Sequence, residues 1–153
     1  MWEIKIVTVG KPKNKAIVEE VERLLGKIRG EWKVLLASAP DSEERNVPAR
    51  VKKETEALMS RVPAGSDVIA LDAGGKEMDS AGFSEALRAL KDSGRRPCFL
   101  IGGAFGLDRN VLDGCRLRLS LSKMTFSHDL SLLLLVEQIY RAYALYKNIP
   151  YAK

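Results

Sequence analysis

The only histidine of the 153-residue chain, His128, stands between a polar stretch, Leu121-Ser122-Lys123-Met124-Thr125-Phe126, and an apolar run that begins at Leu130. At a helix start the outward-pointing backbone N–H groups favour a neutral imidazole. That state suits a general base, a hydrogen-bonding ligand or capping chemistry, and the residues alone leave all three open. Upstream, the strand-like Cys98-Phe99-Leu100-Ile101 ends in Gly102-Gly103-Ala104-Phe105-Gly106. Glycines permit a tight turn and close backbone approach to a ligand, although a turn that merely needs glycine satisfies the same pattern.

Known nucleotide signatures fit this turn poorly. A dinucleotide fingerprint is G-x-G-x-x-G with an acidic partner roughly 20 residues on; here the spacing is G-G-x-x-G and the acid is missing. Gly75-Lys76 is followed by Glu77, where a phosphate loop needs Ser or Thr. No G-x-S-x-G elbow supports a serine hydrolase. One histidine and two cysteines fall short of the tetrahedral ligand set of a structural zinc site, so no metal is expected. Cys98 and Cys115 read as reduced structural thiols.

Charged residues point in two directions. Glu137 and Arg141 have the acid-first i,i+4 order that favours helical pairing, and an arginine there is also placed to reach nucleic acid. Lys11, Lys13 and Lys15 form one basic group, and Arg45, Arg50, Lys52 and Lys53 another. Each is an ordinary solvated face taken singly; together they suit a phosphate backbone. A net charge of +5 is compatible with nucleic acid without requiring it.

These residues need a scaffold, and strand and helix patterns alternate to provide one. Strands are expected at Ile4–Val9, Trp32–Ala37, Val68–Leu71, Cys98–Ile101 and Leu117–Leu121, with Val68–Leu71 central because it carries little polar content. Helices are expected near 16–25, 51–62, 82–90, 109–114 and 128–147. Asp41 to Ala49 holds Pro48 and reads as a loop. The alternation predicts one three-layer α/β/α domain over residues 1–153, with a mainly parallel sheet. Two small-residue loops then share the carboxyl end of that sheet, where such folds bind ligands.

The last helix is apolar over more than half its circumference, through Leu130, Leu132, Leu133, Leu134, Leu135, Val136 and Ile139. Such a helix is buried on two sides, and a second copy of the chain is the simplest cover, so a homodimer is expected. No apolar run approaches the roughly 20 residues of a membrane span, and Met1-Trp2-Glu3-Ile4-Lys5 lacks the form of a secretory signal. A cytoplasmic protein is expected.

Three ordered motifs carry a resemblance: Phe99-Leu100-Ile101-Gly102-Gly103-Ala104-Phe105-Gly106-Leu107; Leu119-Ser120-Leu121-Ser122-Lys123-Met124-Thr125-Phe126-Ser127-His128; and Glu137-Gln138-Ile139-Tyr140-Arg141-Ala142, with Pro150-Tyr151 near the end. With Ile4 to Lys11 and Ala70 to Phe83, essentially the whole chain resembles the RlmH family of ribosomal RNA large-subunit methyltransferases, within the SPOUT superfamily. The resemblance implies a C-terminal trefoil knot, a homodimer, S-adenosylmethionine as methyl donor, and N3 of a 23S rRNA pseudouridine as acceptor. It further implies donor contacts at Leu71, Gly102, Leu121, Ser122, Lys123, Met124, Thr125 and Phe126. The donor carries no phosphate, which accounts for the failed nucleotide signatures. His128 is the candidate catalytic side chain, and Arg141 and Lys153 are the candidate RNA contacts.

Three positions depart from the family pattern. Ser127 replaces a usual proline, Ser131 a usual arginine, and Pro150-Tyr151-Ala152-Lys153 a usual Pro-Tyr-His ending. Two competing expectations follow: a homologue that binds donor and RNA with weakened catalysis, and a nucleotide-binding regulatory domain of flavodoxin-like type.

Overall fold

The computed structural model describes residues 1–151; Ala152 and Lys153 lie outside the described residues. Five strands and five helices follow in the order β1 (Trp2–Val9), α1 (Lys15–Leu25), β2 (Trp32–Ala39), α2 (Val47–Met59), β3 (Asp67–Glu77), α3 (Ser80–Asp92), β4 (Pro97–Ile101), α4 (Arg109–Gly114), β5 (Leu117–Ser120) and α5 (His128–Tyr146). The strands form one sheet in the order β2-β1-β4-β3-β5, and each neighbouring pair is parallel. All carboxyl ends therefore lie along one edge.

The sheet is covered on both faces, as the apolar strands require. Phe99 and Ile101 of β4 join Ile4 and Ile6 of β1 in a core shared with α1, α3 and α5. Cys98 and Leu100 point the opposite way, joining Val7, Val9 and Leu58 of α2. This alternation is the period-two geometry of a strand, and all of β4 is buried. Burial pushes the Cys98 thiol up to about 11, which suits an inert core residue. The middle strand is β4, flanked by β1 and β3; β3, expected to be central, is an interior strand paired with β4 on one side and β5 on the other.

Local sequence sets the helix starts. Asn14, Asn46, Asp79 and Ser127 each accept a backbone N–H in the first turn, at 3.2, 2.9, 2.7 and 3.3 Å respectively. Asn46 and Pro48 begin α2 at Val47, several residues before the expected start, because proline fits the first helical turn. The third strand is also longer than expected. Residues 72–75 loop out, and Lys76 and Glu77 then return to pair with Leu119 and Ser120. Gly75 permits this: a Cβ there would come within 2.5 Å of the Arg118 carbonyl oxygen.

Candidate methyl-donor site

Parallel pairing brings the 72–75 loop within β3 and the segments after β4 and β5 to one end of the sheet. They enclose a cavity of about 560 Å³ with the first turn of α5, within the usual span of small-molecule sites. From β3 come Leu71, Asp72 and Ala73; from β4, Ile101 to Ala104 and Gly106; from β5 and its loop, Leu119, Leu121, Ser122 and Met124 to Phe126. Ser127, His128 and Ser131 close the far side.

Each loop is held by its own hydrogen bonds. Gly106 N–H donates to the Gly103 carbonyl at 3.1 Å, closing a four-residue turn. Gly102 meets this turn so closely that a Cβ there would lie 2.9 Å from the Gly106 carbonyl carbon. Its lack of a side chain thus serves the turn itself and, through it, the cavity wall. In the second loop, Met124 N–H donates to Ser122 Oγ at 3.0 Å and Ser120 Oγ donates to the Ser122 carbonyl at 2.9 Å.

Electrostatics narrow the ligand. Among the described residues, neither lysine nor arginine lines the cavity. The one carboxylate in the wall, Asp72, receives Arg118 Nε at 3.0 Å and Arg118 Nη2 at 2.5 Å. Such a wall has small residues, backbone groups and apolar side chains but no cation for a phosphate. It suits a phosphate-free nucleoside, and the residues present are compatible with S-adenosylmethionine.

At the first turn of α5, Asp129 organises two segments. Its Oδ2 accepts the backbone N–H groups of Lys13 and Asn14 at 2.9 and 2.8 Å, and its Oδ1 lies 3.1 Å from His128 Nδ1. Burial raises the Asp129 pKa, but the hydrogen bonds from Asn14, His128 and Lys13 outweigh it and hold the carboxyl below its ordinary range. His128 Nε2 is shielded from solvent and has no partner among the described residues.

Most of the expected donor residues come together. Leu71, Gly102, Leu121, Ser122, Met124, Thr125 and Phe126 line the cavity, as does His128. Lys123 is in the same loop but is exposed and absent from the lining. Arg141 lies further along α5, paired with Glu137 at 2.6 Å and stacked 5.3 Å from the Tyr151 ring. Lys153 lies outside the described residues. No group of three or more metal-ligating side chains occurs among the described residues, and none of their helices is long and apolar enough to cross a membrane.

Sequence reasoning passed over Asp72, Asp129 and Glu54. Glu54, in the run Lys52-Lys53-Glu54, resembles a surface charge, yet it is 1% exposed. Its spacing held the signal, for it lies four residues before buried Leu58 on the inward stripe of α2.

A family model described as a predicted SPOUT methyltransferase matches residues 2–152. The chain is 40% identical over 150 residues to a ribosomal RNA large subunit methyltransferase H from Desulfotalea psychrophila, covering 97% of this chain and 98% of the relative. A relative of the same name from Ruminiclostridium cellulolyticum is 39% identical over 158 residues, covering 99% of both chains. The chain belongs to the RlmH family of SPOUT methyltransferases. That membership removes the flavodoxin-like alternative. Solved structures agree on the fold. A probable methylase family protein from Haemophilus influenzae superposes with a TM-score of 0.57 at 16% identity, over 98% of this chain and 70% of that one. A probable methyltransferase from Bordetella pertussis gives 0.56 at 15% identity, over 92% and 95%.

Proposed function

We propose that this protein is an S-adenosylmethionine-dependent methyltransferase that acts on N3 of a pseudouridine in the 23S RNA of the large ribosomal subunit, free or assembled. In this reading it works in the cytoplasm as one knotted SPOUT domain per chain, paired as a homodimer. The observation that carries the reading is the cavity formed by the Gly102–Gly106 turn and the Leu121–Phe126 loop, with no lysine or arginine among the described residues of its wall. The relatives' names supply the substrate class.

When bound, S-adenosylmethionine supplies a methyl group on a sulfonium, an already activated leaving group. The chain's work is then largely positioning. Leu71, Leu121 and Met124 would offer apolar contact to the adenosine, while Gly102, Ser122 and Met124 to Phe126 would bring backbone groups alongside. The N3 proton must depart as the N–C bond forms. His128 is the side chain to test as its acceptor. Nδ1 is engaged by Asp129, so the position left to take the proton is Nε2, which has no partner among the described residues. Arg141 and Lys153 are assigned to the RNA side.

A second reading, a donor- and RNA-binding homologue with weakened catalysis, is favoured by Ser131, which lines the cavity where the family usually has arginine. The test is incorporation of labelled methyl groups into large subunits from a strain lacking the modification, followed by mass spectrometry of the RNA. Stoichiometric transfer to one pseudouridine is expected; donor binding without transfer selects the second reading. His128→Ala should slow transfer by about a hundredfold with little change in donor affinity, and unchanged rates would remove His128 from the chemistry.

A further inference from the structure

Phe105 occupies the tip of a tight turn, a place ordinarily given to polar residues or glycine. The turn runs from Gly103 to Gly106 and is closed by the 3.1 Å backbone bond between them. Phe105, at its tip, is 52% exposed. Ala104 and Gly106, on either side, line the donor cavity, whereas the ring itself stands outside the lining.

The ring is held from beneath by α2. The Arg50 guanidinium lies 5.3 Å from the ring centroid. Arg50 Nε in turn pairs at 3.4 Å with Glu54 Oε2, which also accepts Ser42 N–H at 3.1 Å. Glu54 is buried against the turn, so that a Cβ on Gly103 would come within 2.7 Å of its Oε1. The next residue, Thr55, accepts Asp108 N–H at 3.0 Å just past the turn. A buried carboxylate thus fixes an arginine, the arginine backs an exposed aromatic ring, and the same helix clamps both ends of the loop. Such preparation is more than an incidental exposed phenylalanine needs.

We propose that Phe105, backed by Arg50, is a stacking platform for an unpaired nucleobase of the RNA substrate, the neighbour of the base being methylated. The inference rests on the RNA methyltransferase reading and deepens it. A base that presents a ring nitrogen to the donor must leave its stack, and the strand around it is recognised in unpaired form by aromatic faces and arginine planes. The acceptor base takes the cavity mouth. The ring lies beside that mouth, so the base it receives is an adjacent one.

The test compares Phe105→Ala, Phe105→Tyr and Phe105→Trp. With unmodified large subunits as substrate, Phe105→Ala should raise KM about tenfold while changing kcat little, and Phe105→Tyr should restore it. Calorimetry should find S-adenosylmethionine affinity unchanged in all three. The native tryptophans, Trp2 and Trp32, are 8% and 3% exposed, so fluorescence added by Phe105→Trp should be quenched on titration with an unstructured oligouridine. Substituting Lys for Arg50 (Arg50→Lys) keeps the charge but removes the plane and should weaken that quenching. An unaltered KM in folded Phe105→Ala overturns the proposal. So does loss of donor affinity, which would make the ring part of the donor wall, or a changed sedimentation mass, which would make it a subunit contact. Should the wild-type protein transfer no methyl group to RNA, the parent reading fails, while quenching by oligouridine still decides the platform.

Discussion

Two glycines of the donor turn have different physical reasons to be glycine, and substitution separates them. At Gly102 the backbone is ordinary, but a Cβ would lie 2.9 Å from the Gly106 carbonyl carbon, 3.0 Å from its oxygen and 3.1 Å from Leu107 Cδ2. The first two neighbours are backbone, so the turn must move. At Gly106 the space is open, with nothing within 4 Å, but φ is +82°, a conformation that costs an L residue about 1–2 kcal/mol. Gly102→Ala should therefore displace the cavity wall and weaken S-adenosylmethionine binding by about tenfold or more, an overpacking cost of about 1–3 kcal/mol. Gly106→Ala should lower thermal stability with a smaller effect on affinity. Calorimetry and thermal melts on both variants check the contrast, and equal effects on affinity would show that the two glycines serve the site in the same way.

At the scale of elements, the first turn of α5 is tied to the start of α1 through Asp129, and that tie is acid-sensitive. The folded carboxyl lies below its ordinary value of 3.8, so its contribution is present above the unfolded pKa and is lost as pH falls through the folded one. Asp129→Asn should cost about 1–2 kcal/mol at neutral pH, and the gap from wild type should close in acid. Melting temperatures across that range measure it; a gap independent of pH would place the effect in side-chain shape. The same scale shows what the sequence could reveal. Periodicity and the breaking glycines and prolines marked most helices and strands to within a few positions, because each signal is local; Asp108, read as the cap of α4, starts that helix without a side-chain cap bond. Pro48 misled, since it serves equally in a loop or a first helical turn, and only the Asn46 cap decides between them. The return of β3 at Lys76 was hidden for a different reason. It depends on how closely Gly75 can approach Arg118 of β5, a contact between distant parts of the chain.

Across the whole molecule, parallel alternation was legible, but the strand order was not, since β4 lying between β1 and β3 is a long-range choice. The two loops that wall the cavity were legible because small residues follow strands. Glu54 was missed because its burial depends on where α2 meets the turn after β4. The apolar excess of α5 was also legible, and the described chain accounts for only part of it. Leu132, Leu135, Val136 and Ile139 are buried within the chain, while Leu130 stays 36% exposed and Leu133 and Leu134 are half-buried. Leu134, with Gln138, Met78 and Phe126, also lines an open cavity of about 430 Å³ beside the donor site. A second subunit would cover this stripe and complete that wall. Sedimentation of the wild-type protein should give about twice the 16.9 kDa chain mass. Leu130→Glu combined with Leu134→Glu should give folded monomers, because an uncovered stripe tolerates carboxylates that a subunit interface does not. Leu135→Glu, which places the charge in the chain's own core, should instead abolish folding. A wild-type monomer, or a double variant that remains dimeric, would remove this face of α5 as the subunit contact.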